Sequence, residues 1–264
     1  MKKWILYLTV ILAMSSGLAL AHLDEGTAEG KYAQVEALHL AAEQGDANAQ
    51  NKLGEMFLHG VGVTPDTQEA VKWFRLAAKQ GHAIAQFNLG VSYGNGQGVA
   101  QDYQEAAKWF RSAAELGDAN AQYFLGLSYI NRQGVSPNFE EAMKWLRLAA
   151  EQGHAQAQLK LGVSYGNGQG VAQNYQEAVK WFRLAAKQEQ AKAQYYLSLS
   201  YANELGVIQN DVRAYMWSHL ASDNGQRDAQ KNLENVAQRM TPAQIAEAQK
   251  LAHDCRNSHY TNCD

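Results

Sequence analysis

Glu69 to Gly81 reads EAVKWFRLAAKQG, and this stretch decides the fold because the chain keeps repeating it. Its Trp73 returns as Trp109, Trp145, Trp181 and Trp217, each 36 residues after the last. The pair Ala77-Ala78 returns with it as Ala113-Ala114, Ala149-Ala150 and Ala185-Ala186. A fixed period in this range is the signature of a stacked repeat. Within the stretch Ala70, Trp73, Phe74, Ala77 and Ala78 fall at i, i+3, i+4, i+7 and i+8, the apolar stripe of a helix with one buried face. So short a helix is marginal by itself and needs neighbours to cover that stripe. The indole is the largest group on it and is expected to be a buried centre.

Working outward, each unit opens with a first helix carrying A-x-A-Q-x-x-L-G-x-x-[FY], as from Ala83 through Gln86, Leu89 and Gly90 to Tyr93. A glycine costs a helix about 1 kcal/mol relative to alanine. Its presence in four units, as at Gly90, predicts a close backbone approach to the partner helix. A loop follows, GNGQGVAQ at 94–101 and again at 166–173, with a valine (Val63, Val99, Val135, Val171, Val207) expected to plug the gap between the two helices. The second helix opens on a capping-box pattern, Asp66-x-x-Glu69, Asp102-x-x-Glu105, Asn138-x-x-Glu141 and Asn174-x-x-Glu177. Gly81, Gly117 and Gly153 are placed to end it in the left-handed conformation. Glu189 breaks that rule and Leu197-Ser198 replaces Leu-Gly, so a local change is expected around both.

This organisation predicts a signal peptide at 1–21, an N-terminal capping half-repeat at 22–45, five units at 46–81, 82–117, 118–153, 154–189 and 190–225, and C-terminal capping helices with a cysteine-containing tail at 226–264. Lys2 and Lys3 precede an apolar run, Trp4 to Leu12, and Ala19-Leu20-Ala21 gives a cleavage pattern, so the mature chain is expected to be periplasmic or secreted. Without Lys2 and Lys3 there remain 21 basic against 26 acidic residues, a net charge of −5. A mildly acidic chain with no basic block argues against nucleic acid and against an anionic membrane, and no stable membrane insertion of the mature chain is expected.

At L-G-x-x-Y, G-x-G-V, [DN]-x-x-E-A-x-x-W and A-A-x-x-G the pattern resembles the Sel-one-like repeat family, relatives of tetratricopeptide repeats, over residues 31 to about 240. The resemblance implies an all-α fold, a right-handed superhelical solenoid of antiparallel helix pairs, working as a scaffold for a protein or peptide partner. It implies no common catalytic residues and no cofactor. One cysteine-rich bacterial branch is credited with β-lactam chemistry, but no repeat of this chain holds a cysteine. The alternative reading is a cell-envelope hydrolase acting on peptidoglycan or β-lactams, although no catalytic constellation stands out.

Candidate sites follow from what the repeats leave exposed. His253, Cys255, His259 and Cys263 can be written as a zinc set, but two cysteines in an exported chain read as a disulfide, Cys255–Cys263, and no metal is expected. Lys72, Arg75, Lys108, Arg111, Lys144, Arg147, Lys180 and Arg183 form a basic stripe, read as a solvated face because a glutamate lies three residues before each lysine. Asn95, Asn131, Asn167 and Asn203 make a ladder that either presents amides to a peptide or, as we prefer, takes the left-handed conformation or satisfies loop carbonyls. On the first helices Phe87, Tyr123, Leu159 and Tyr195 point away from the buried stripe and either line the concave groove or pack between units.

Overall fold

The computed structural model describes residues 28–263, so the leader expected at 1–21 lies outside the described residues. Those residues form thirteen helices and no strand. The chain divides into two compact units, Met1–Leu116 and Gly117–Asp264. The first holds α1 (Ala28–Glu43), then the pairs α2 (Ala47–His59) with α3 (Thr67–Lys79) and α4 (Ala83–Asn95) with α5 (Tyr103–Glu115). The second holds the pairs α6 (Ala119–Asn131) with α7 (Phe139–Glu151), α8 (Ala155–Asn167) with α9 (Tyr175–Ala186), and α10 (Ala191–Ala202) with α11 (Asp211–Asp223). It closes with α12 (Arg227–Ala237) and α13 (Pro242–Asn257).

Caps set the boundaries of these helices. Asp66 accepts from the backbone N–H groups of Gln68 and Glu69, and Asp102 does the same for Gln104 and Glu105. The reciprocal half of the expected capping box is not made. The backbone N–H of Asp66 already donates to the Phe57 carbonyl at 2.9 Å, that of Asp102 to Tyr93, and that of Asn174 to Tyr165. The glutamates turn to lysines instead. A complete box occurs at Thr241 and Gln244, where α13 begins.

Gly81, Gly117 and Gly153 end the second helices with φ of 83°, 93° and 90°. Glu189 takes the same conformation at φ 62°, and α9 ends one residue early, which is the extent of the change expected there. The asparagine ladder behaves differently from expectation. Asn95, Asn131 and Asn167 stay helical, and the left-handed residue is the next one, Gly96, Arg132 or Gly168. Asn203 sits at φ −120° and donates its side chain to the Leu199 carbonyl at 2.9 Å.

The tryptophans are not the uniform buried centres expected of them. Trp217 and Trp73 are buried, but Trp109, Trp145 and Trp181 are only half-buried. The centre is the following residue, Phe74, Phe110, Leu146 or Phe182, each 6% exposed or less. These side chains lie across Gly54, Gly90, Gly126 and Gly162 of the paired helix. The loop valines pack one step away from their expected place. Val99 joins the core between α3 and α4, and Val171 that between α7 and α8, so the loop leans on the preceding repeat.

The last repeat exchanges this glycine–aromatic contact for polar groups. Ser198 and Ser218 occupy the two positions, both fully buried, 2.8 Å apart. Ser198 donates to the Ala214 carbonyl, and Asn232 of α12 donates to both hydroxyls at 2.6 and 2.8 Å. The tail then closes the stack. Cys255 and Cys263 form a buried disulfide, and the Tyr260 hydroxyl accepts from Asn224. Arg256 pairs with Asp223, and Arg239 with Asp211 at 2.6 Å.

Candidate protein-binding face

The buried stripe of each first helix, Ala85 and Leu89 in α4, leaves Phe87 and Val91 on another side. Phe87 is half-buried, its ring tilted against Phe110 at 5.9 Å. In the second unit Tyr123, Leu159 and Tyr195 are likewise half-buried. Tyr123 stacks on His154 at 4.6 Å and meets Phe124 edge-on at 5.5 Å. Leu159 packs on the core cluster that runs from α9 to the tail. Tyr195 tilts against Tyr196 at 6.0 Å. Burial raises the phenol pKa of Tyr123, and burial with the Asp228 charge raises that of Tyr195, so both stay neutral at physiological pH. Each side chain is partly spent on packing and partly presented to solvent. Asn95, Asn131, Asn167 and Asn203 are exposed at the ends of these helices.

The first unit differs in a way the row of residues does not convey. There Asn88 donates to Asn51 at 3.1 Å, Asn51 donates to Glu55 at 3.0 Å, and Lys52 pairs with Glu55 at 3.3 Å. The aromatic and aliphatic character therefore belongs to the first helices of the second unit, with Phe87 its counterpart in the first. The signal was available in the sequence, since positions equivalent to Tyr123 and Leu127 are Asn51 and Glu55.

Two further features were missed. The residue ahead of each A-x-A-Q is the helix N-cap, and it runs Asp46, His82, Asp118, His154 before becoming Gln190 and Gln226. The glutamine of that motif is a buried staple. Gln50, Gln158 and Gln194 each donate to a carbonyl eight residues back and accept from an amide 30 residues on, Gln80, Gln188 and Asn224.

The second-helix face is charged and self-satisfied. Lys72 pairs with Glu69 at 2.6 Å and Lys144 with Glu141 at 2.8 Å, and Lys108–Glu105 and Lys180–Glu177 repeat the arrangement in the open. Beside α7 lies an open groove of about 430 Å³ between Glu140, Met143, Lys144, Arg147, Leu148 and the Gly170-Val171 loop. In the tail both cysteines are consumed by the disulfide, and His253 contacts Asn257 at 2.8 Å. Among the described residues no group of three His, Cys, Asp or Glu is placed to hold a metal, and no helix is long and apolar enough to cross a membrane.

Paired helices stacked at a constant period, each unit offering one first-helix face and one charged face, define an all-α repeat protein. The chain belongs to the Sel1 repeat family, whose members generally serve as protein–protein interaction scaffolds: Sel1 repeats match residues 47–82, 83–118, 119–154, 155–189 and 191–226. Among solved structures it is similar to a protective antigen of uropathogenic Escherichia coli strains with an SLR fold, at 32% identity and a TM-score of 0.80 over 88% of this chain. The chain spans 50% of that antigen's length. It is also similar to a Sel1 repeat protein from Oxalobacter formigenes, at 30% identity and a TM-score of 0.73, covering 92% of this chain and 93% of that one. Comparison with curated proteins yields no match. The hydrolase alternative finds no support in the family or in these structures.

Proposed function

We propose that this is an exported scaffold that holds an extended or helical segment of a partner protein against its first helices. The observation that carries the reading is the half-exposed set Tyr123, Leu159 and Tyr195, one side chain per repeat of the second unit. Partly packed aromatic anchors are held rigid before the partner arrives, which limits the entropy lost on binding. The second-helix face is a poor competitor, because its lysines are already paired and solvated. The leader pattern read at 1–21 supports a place of work outside the cytoplasm.

Site-specific photo-crosslinking in cells tests this. A crosslinking residue in place of Tyr195 should capture one partner protein, and Tyr123→Ser should abolish that capture while the chain keeps its helical fold. The same probe at Lys180 should capture nothing. Capture from Lys180 and not from Tyr195 would put the site on the opposite face.

A further inference from the structure

Two of the helix caps are made of a residue that changes charge near neutral pH. His82 accepts the Ala85 backbone N–H on Nδ1 at 3.1 Å, and its Nε2 faces the Asn48 side-chain oxygen at 3.1 Å. His154 accepts the Ala157 N–H on Nδ1 at 3.2 Å. An imidazole nitrogen accepts only while it carries no proton, so both caps require the neutral ring with its hydrogen on Nε2. At His82 the Asn48 oxygen fixes that tautomer. The matching positions Asp46 and Asp118 accept from Ala49 and Ala121 at 2.8 and 2.7 Å with carboxylates that stay charged in mild acid.

We propose that His154 makes the start of α8 an acid-labile joint: protonation removes the cap acceptor and sets a cation at a helix N-terminus, while α2 and α6 keep their aspartate caps. Burial disfavours the cation, the aligned peptide dipoles repel it, and the lost acceptor leaves a backbone N–H unpaired. Opposing them at His154 are a hydrogen bond to its own backbone, the Asp118 carboxylate, already occupied by Ala121, and the face of Tyr123, which attracts a cation. Burial prevails, and the pKa of His154 lies below the ordinary histidine value. A group whose folded pKa is depressed favours the fold above its unfolded pKa, and that contribution is lost as pH falls through about 6.5 toward the folded value. Because His154 lies flat on Tyr123, the same protonation loosens one anchor of the proposed binding face. That last consequence rests on the scaffold reading; the joint itself does not.

Amide hydrogen exchange on the full chain, followed residue by residue at about pH 7.5 and about pH 5 and corrected for intrinsic rates, tests the joint. The Ala157 amide should lose protection by about fivefold, the size of a lost N-cap, while Ala49 and Ala121 hold theirs. H154D should remove that difference. Equal loss at Ala49, Ala121 and Ala157, or none at Ala157, overturns the proposal. So does a wild-type imidazole titration in which the His154 ring behaves as a free histidine. Photo-capture of the partner by the Tyr195 probe that is as efficient at about pH 5 as at about pH 7.5, while the Ala157 amide responds, would count against the binding face and leave the joint standing.

Discussion

The ring of Phe182 lies across the α carbon of Gly162, so that a methyl group built on that glycine would stand 2.4 Å from the ring. The helices α8 and α9 are therefore in contact through backbone, and the ring is only 5% exposed with nowhere to retreat. In Gly162→Ala the helix gains about 1 kcal/mol of propensity. Overpacking costs roughly 1–3 kcal/mol, and the Ala178 carbonyl 3.2 Å from the new methyl narrows any escape. The variant should melt lower than wild type. The control is Gly166→Ala in the same helix, where the nearest atom is 3.9 Å away and propensity should win. Two variants that shift alike would show that the contact does not set the pairing.

The last repeat tests the same contact in reverse. Ser198 stands where glycine would, and Ser218 where phenylalanine would, so the missing ring is balanced by a hydroxyl pair bridged by Asn232. Ser218→Phe alone should cost about 3 kcal/mol, because the ring meets Ser198 and strands its partners. Adding Ser198→Gly should recover more than half of that loss. A double-mutant cycle on chemical denaturation that comes out additive would mean the two positions do not sense each other.

Leu146 carries the burial that the periodic tryptophans suggest for themselves. It is fully buried against Gly126, whereas Trp145 beside it is half-buried. Leu146→Ala should therefore cost about 2–5 kcal/mol and Trp145→Ala distinctly less, despite the larger side chain removed. Denaturant midpoints in the opposite order would restore the indole as the centre.

The period, the helix pairs and the close glycine contact were legible because each repeats in register, and five copies of one pattern leave little ambiguity about helix or loop. What the sequence could not rank was Trp145 against Leu146, since adjacent residues on one stripe differ in burial by the rotation of the partner helix. The capping box failed for a related reason. Its second half depends on whether the Asp66 N–H is free, and a carbonyl nine residues upstream at Phe57 has taken it. That Tyr123 and Tyr195 lie off the buried stripe was legible, but the stacking of Tyr123 on His154 is set by the neighbouring helix. The alternation of aspartate and histidine caps was plainly written, yet histidine is not among the residues one looks for at a helix start.

One defect in the glutamine staples gives the last prediction. Gln86 donates to the Ala78 carbonyl at 3.1 Å as its counterparts do, but its Oε1 is buried with no hydrogen-bond partner. The residue 30 positions on, which is Gln80 for Gln50 and Gln188 for Gln158, is Leu116. Leu116 is 57% exposed, so little apolar burial is lost by replacing it. A buried acceptor left unpaired costs about 1–3 kcal/mol, and a restored neutral hydrogen bond contributes roughly 1 kcal/mol after the ordering of a glutamine side chain. Leu116→Gln should therefore stabilise the first unit by about 1 kcal/mol, a rare gain from putting a polar residue in place of an apolar one. The mirror experiment is Gln80→Leu, which strands Gln50 and should lose about as much. Combining the gain with Gln86→Leu, which removes the acceptor, should erase the benefit of Leu116→Gln. If Leu116→Gln is as stabilising in that background as in wild type, the effect comes from relieving exposed apolar surface and the staple has no part in it.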